Sequence, residues 1–150
     1  MSKFYQSTDS ISIQAPPEKA YEALTNWTLR SQWRKGVILT WEGDAKAFAG
    51  QKVRTKVLGL LPYSFEYRIT GLEAPYRVFM EYTGNPLKGR SAIEAVPEGQ
   101  GCQVSFYWMK VEPAGFLAKV YFALGLGSVS HRSRTQETLR MLKEYLESKG

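Results

Sequence analysis

The sequence predicts an α+β fold, in which a curved antiparallel β-sheet of about seven strands wraps around one long C-terminal helix, with two short helices after the first strand. Three observations predict it. Apolar and polar residues alternate with period two through most of Gly36 to Pro113. After Pro113 the period changes to 3.6 and stays there. Ahead of both, a short alternating stretch runs directly into a proline-led helical segment. A chain of 150 residues is expected to form a single domain, residues 1–150. At that length it buries roughly 70% of the surface its unfolded form exposes.

Phe4 to Gln14 ends in alternation, with Ile11 and Ile13 apolar against Asp9, Ser10 and Ser12, which reads as a half-buried strand. Ala15-Pro16-Pro17-Glu18 stops it. Proline suits the first helical turn, where its missing N–H costs nothing, and Glu18 complements the positive helix end. Ala20, Tyr21, Leu24 and Trp27 share one helical face, and a second short helix covers Leu29 to Trp33. About six strands follow, carrying inward Val37-Leu39-Trp41, Val53-Thr55-Val57, Tyr63-Phe65-Tyr67-Ile69, Val78-Met80-Tyr82, Ser91 to Val96, and Val104-Phe106-Trp108. Breakers at Gly43-Asp44, Gly59, Gly71, Ala74-Pro75, Gly84-Asn85-Pro86 and Pro97 to Gly101 separate them, the layout of an antiparallel meander.

In the last segment one helical stripe is centred on His131. It is bulky at its ends, with Leu117, Val120 and Leu124, then Leu139, Leu142 and Leu146. Its middle is small and polar: Gly127, Ser128, His131, Thr135 and Thr138. Gly125 and Gly127 cost roughly 1 kcal/mol each relative to alanine, so the helix is expected to kink or restart there.

A strongly twisted sheet curls, and one helix cannot fill its concave side. Small residues facing that side leave volume, and hydroxyls and an imidazole supply polar contacts, as small-molecule sites require. The expected ligand-binding residues are therefore His131, Ser128, Thr135, Thr138 and Leu124 on the helix. On the sheet they are Trp41, Tyr63, Phe65, Tyr67, Met80, Tyr82, Phe106 and Trp108. The competing reading is that the sheet's own rings fill the gap. His131, the only histidine, reads either as a satisfied core residue or as a hydrogen-bonding and acid/base group for enol chemistry. No carboxylate shares its helical face, and Glu66 and Glu81 have the wrong strand parity to orient it. With Arg54, Lys56 and Arg68 they read as cross-strand ion pairs on the solvent face. Cys102 reads as a buried structural thiol.

The net charge of +6 comes from dispersed residues, densest at His131-Arg132-Ser133-Arg134. A solvated basic surface is expected and nucleic-acid binding is not, with peripheral membrane contact as an alternative. One cysteine excludes an intrachain disulfide, and one histidine without ligand spacing argues against a metal. Neither a phosphate loop nor a nucleotide fingerprint occurs, so no cofactor is implied. Met1 to Gln6 lacks the apolar stretch of a signal peptide, and Val120 to Leu126 falls short of the about 20 residues that cross a bilayer. A cytoplasmic protein, monomer or homodimer, is expected.

The opening Ile11-Ser-Ile-Gln-Ala-Pro-Pro-Glu-Lys-Ala-Tyr-Glu-Ala-Leu-Thr25, followed by Trp33, and the closing Leu139-Arg-Met-Leu-Lys-Glu-Tyr-Leu-Glu147 resemble the START-like (SRPBCC) superfamily. Between them, Trp33-Arg-Lys-Gly-Val37, Leu61-Pro-Tyr63, Gly84 through Gly89 and Val104-Ser-Phe-Tyr-Trp108 resemble its polyketide cyclase/dehydrase-type branch. The resemblance covers nearly the whole chain. It implies a helix-grip fold with a hydrophobic cavity between the sheet and the C-terminal helix. Members bind lipids, polyketides, hormones or quinones, and some close aromatic rings. The branch carries an Asn-His pair near the middle of its last helix; this chain has Ser130-His131 there, and Ala123-Leu-Gly-Leu-Gly127 where the branch has prolines. The expected function is binding or transport of a small hydrophobic or amphipathic ligand: a lipid, polyketide or aromatic compound. One alternative is a cyclase or dehydratase using His131, with Tyr67 or Tyr107 polarising a carbonyl. Another is a basic module docking on a membrane or other anionic partner.

Overall fold

The computed structural model describes residues 5–59, 63–84 and 87–149, and along 127–131 it describes the backbone path alone. Strand β1 (Tyr5–Ile13) leads into helices α1 (Pro17–Thr25) and α2 (Trp27–Trp33). Pro17 and Glu18 occupy the first turn of α1, as the sequence requires. The face shared by Ala20, Leu24 and Trp27 is split, however. Asn26 is extended, and its Oδ1 accepts a hydrogen bond from the Leu29 N–H at 3.2 Å. That side-chain cap starts a new helix, so Trp27 opens α2 with its ring buried.

Strands β2 (Val37–Trp41), β3 (Lys52–Val57), β4 (Tyr63–Glu73), β5 (Arg77–Gly84), β6 (Leu87–Glu98) and β7 (Gly101–Pro113) join β1 in one seven-stranded sheet, ordered β1-β7-β6-β5-β4-β3-β2. All pairs are antiparallel. Two boundaries differ from the pattern of breakers. Glu98 pairs with Gly101, so the turn there is only Gly99-Gln100, and Gly99 adopts φ +58°, the left-handed conformation of a tight hairpin. Gly71 does not end β4 but follows a bulge opposite Met80 and Phe79, and a second bulge lies at Arg90/Ser91. Bulges bend a strand and sharpen its twist, which helps the sheet curl into a helix-grip fold. On its outer face Arg54 meets Glu66 and Arg68 meets Glu81, each at 3.6 Å across strands, whereas Lys56 lies opposite Ser64.

Helices α3 (Phe116–Ala123) and α4 (Leu126–Lys149) complete the chain. Gly125, at φ +80°, makes the break between them. This resets the helical phase. Leu117 and Leu124 are 82% and 69% exposed, and Phe122 is buried instead. Beyond the break the expected phase returns, with Leu139, Leu142 and Leu146 buried. The last turns of α4 are pinned to β1: Lys143 Nζ donates to the Ser12 carbonyl at 3.0 Å, and Glu147 accepts from the Gln14 N–H at 2.9 Å.

The core forms two clusters. The larger joins α1, α2 and the end of α4 to the sheet through Ile13, Trp27, Ile69, Ile93, Val104 and Leu142. The smaller holds Trp108, Val111 and Phe122, with Tyr5, Tyr82 and Leu87 packed against it.

Candidate functional site

Residues of both clusters wall a cavity of about 900 Å³ between the sheet, α2, α3 and α4. Pockets for small molecules span roughly 300–1,000 Å³. Strand register builds the wall. Tyr63, Phe65 and Tyr67 face inward from β4, and their cross-strand partners Val57, Thr55 and Tyr82 face the same way. The rings contact one another in sequence, with centroids 5.8 Å apart for Phe65–Tyr82, 6.3 Å for Tyr82–Trp108 and 6.0 Å for Trp108–Phe122. They line the gap without filling it. Phe116, Leu117 and Tyr121 of α3 also border the cavity while exposed to solvent, and form an apolar rim.

Met80, Phe106, Trp108, Thr135 and Thr138 border the same space as the β4 rings and Tyr82. Two expected residues do not. Leu124 sits at the helix break and faces solvent. Trp41, at the far end of β2, packs on the larger core cluster, and Val37 and Leu39 from the same strand face the cavity in its place. The side chains of His131 and Ser128 lie outside the described residues. Tyr107 points away from the concave face, between inward Phe106 and Trp108, and donates to Glu94 Oε1 at 3.3 Å. It is therefore removed as a polarising group.

Several polar groups interrupt the apolar wall. The Tyr82 hydroxyl accepts from Trp108 Nε1 at 3.1 Å, and Thr138 Oγ1 donates to the Arg134 carbonyl at 2.8 Å. The buried hydroxyls of Tyr67 and Ser91 have no hydrogen-bond partner among the described residues; Thr55 approaches the first and Tyr82 the second without bonding geometry. A buried polar group left unpaired costs about 1–3 kcal/mol, which a ligand carbonyl or hydroxyl would recover.

Burial pushes the pKa of both Tyr67 and Tyr82 above the ordinary 10.0, against the opposing pull of the Arg30 charge on Tyr67 and of the Trp108 N–H on Tyr82. The folded state thus holds these protons more tightly than the unfolded chain. Their contribution to stability is complete below the unfolded value and is lost as pH rises through the folded values. Alkaline titration of the 9 tyrosines should therefore show a late phenolate absorbance step that coincides with loss of far-UV circular dichroism. A fold that stays intact after every tyrosine has ionised would contradict this.

Three arginines were not legible as site residues. Arg30 on α2, Arg34 at the C-cap of α2 and Arg134 on α4 all border the cavity. Arg34 is only 8% exposed, and it donates to the Lys35 carbonyl and to Met141 Sδ at 3.6 Å. Arg30 donates from Nη1 to the Leu24 carbonyl at 3.3 Å and lies 5.7 Å from the Trp27 ring centroid. Arg134 lies 5.3 Å from the ring centroid of Tyr63. Burial, chiefly, lowers the Arg34 pKa; Glu137 opposes this, and Arg30 and Arg134 add to it. The available signal was spacing, since Arg134 precedes Thr138 by one helical turn.

Asp9 is a second omission. Reading the β1 alternation back from Ile13 and Ile11 puts Asp9 on their face, and it is buried, with Arg132 Nε at 3.7 Å from its carboxylate. Cys102 is buried, and burial, then Glu18 and Glu98, push its thiol up to about 11, too high for a nucleophile near neutral pH. Among the described residues no group of three or more His, Cys, Asp or Glu is placed to hold a metal ion. No helix among them is long and apolar enough to cross a membrane.

Residues 5–147 match the family model described as polyketide cyclase/dehydrase and lipid transport. Among curated proteins, none matches the sequence. Solved structures share the fold at low identity. A protein of Thermus thermophilus superposes with a TM-score of 0.75 at 15% identity, covering 97% of this chain and 99% of that one. Norcoclaurine synthase from Thalictrum, solved as a point mutant with a transition-state analogue, gives 0.70 at 12% identity, covering 100% and 99%. The Aha1 dimer from Colwellia psychrerythraea gives 0.66 at 19%, covering 95% and 96%. At these identities the likeness shows the fold alone.

Proposed function

Because the chain belongs to the polyketide cyclase/dehydrase and lipid transport family, whose ligand-binding fold it has, we propose that it binds and carries a small, largely apolar molecule in the cavity under α4. The observation that supports this most is the cavity itself: about 900 Å³ walled by a continuous series of aromatic rings. Such walls bury an apolar body, while a few hydroxyls orient it. The apolar rim on α3 is the natural entrance for a molecule that avoids water. Turnover rather than storage would need an acid/base group. In this reading His131 fills that role, and the Tyr67 hydroxyl is the neutral donor best placed to polarise a carbonyl.

Ser91→Phe tests the reading. Ser91 lies between Met80 and Trp108 on the concave face, and its hydroxyl bonds to no described group, so the added ring enters the cavity without breaking a hydrogen bond. Binding of an environment-sensitive apolar dye should weaken about tenfold or more, because the ring occupies the space over Met80 and Trp108 where the dye would lie, while the melting temperature holds or rises. Undiminished dye binding in the folded variant would refute the site. Native mass spectrometry of the wild type should also show a co-purified apolar mass that the variant lacks.

A further inference from the structure

Resting on the reading that the cavity holds an apolar molecule, we propose that this molecule ends in an oxyanion, a carboxylate or a phosphate, seated against Arg30, Arg34 and Arg134. The three arginines border one cavity, and Asp and Glu are absent from its described lining residues. A buried charge is costly unless it is paired and hydrogen-bonded. None of the three forms a salt bridge with a described carboxylate.

The acidic groups nearby are otherwise engaged. Asp9, buried under α4, is matched by Arg132. Glu66 and Glu81 serve Arg54 and Arg68 on the opposite face of the sheet. Glu137 acts on Arg34 only through space. The Nε groups of Arg30 and Arg134 are buried without any hydrogen-bond partner among the described residues, and Arg34 spends Nη1 on a carbonyl and a thioether, the latter a weak acceptor. Planar guanidinium forks match carboxylate and phosphate oxygens in pairs, and such charge-assisted bonds are about twice as strong as neutral ones. The rest of the wall is aromatic. The complementary ligand is therefore two-part, with an apolar body over the rings and an acid against the arginines.

The test compares hexadecanoate, hexadecyl phosphate, hexadecanol and hexadecylamine by calorimetry and tryptophan fluorescence, in buffer of moderate ionic strength. At least one acid should bind about tenfold or more tightly than the alcohol, and the amine most weakly. The tighter acid identifies the headgroup. Arg30→Met, Arg34→Met and Arg134→Met should each erode this preference, weakening the acid far more than the alcohol. Arg54→Met, on the outer face, should leave the preference intact, which separates the site from attraction by the overall charge of +6. Should the Arg34 variant fail to fold, the wild-type comparison and the other two variants still decide. Equal binding of acid and alcohol, or a preference that survives all three substitutions, overturns the oxyanion inference and spares the apolar cavity. If no probe binds, both readings fall.

Discussion

Replacing Gln51 with alanine should lower the stability of the fold by about 3–5 kcal/mol, although the residue is polar and lies outside the cavity wall. Gln51 is 1% exposed and ties three segments together. Its Oε1 accepts from Trp27 Nε1 at 2.8 Å, and its Nε2 donates to the carbonyls of Glu42 at 2.7 Å and Asp44 at 2.8 Å. Alanine leaves all three groups without this partner. Each buried orphan costs about 1–3 kcal/mol, and the two carbonyls fall at the low end because solvent can reach their loop. Urea unfolding of the variant measures the loss; a cost below about 1 kcal/mol would overturn the account. The effect reaches the candidate site, because Trp27 begins the helix that carries Arg30 and ends at Arg34. Weaker packing of α2 should loosen the arginine wall and reduce ligand affinity together with stability.

The second large effect is expected at Gly89. A Cβ there would lie 1.9 Å from the Lys110 carbonyl oxygen and 2.8 Å from the Val111 Cα, at φ +127°. Both obstacles are backbone of β7, so relief requires the strand itself to move. Gly89→Ala should cost about 3 kcal/mol or more, or abolish folding. Gly99→Ala is the control. It also has positive φ, at +58°, but meets nothing within 4 Å, and about 1 kcal/mol is expected for the left-handed conformation alone. Thermal unfolding of the pair distinguishes steric conflict from backbone preference. Equal losses would mean that β7 yields easily at this point.

The strands of this protein were legible because their signal is local. Val53-Thr55-Val57 and Tyr63-Phe65-Tyr67 alternate in sequence, and they alternate in space for the same reason, since successive side chains leave a strand on opposite sides. Parity alone assigns Tyr67, Tyr82, Phe106 and Trp108 to one concave face. The same rule, applied one step further back, would have found Asp9. Tyr107 follows it too: a neighbour of two inward rings must point out.

Helical phase was legible only up to a glycine. On either side of Gly125 the 3.6-residue period holds, but a residue at φ +80° rotates everything before it by an angle that periodicity does not contain. Leu117 and Leu124 were thereby exchanged for Phe122. Asn26 had the comparable effect on α1, and there the capping preference of asparagine was the available signal.

By itself, then, the sequence determined the order and kind of the elements and the face each strand turns to the helix, because both follow from the geometry of consecutive residues. Tertiary structure alone decided that α2 and α4 bring Arg30, Arg34 and Arg134 to one wall, and that the rings line a space they do not fill. Charges about a hundred residues apart meet only after the sheet has curled, and how far it curls is set by bulges and packing that no local pattern encodes.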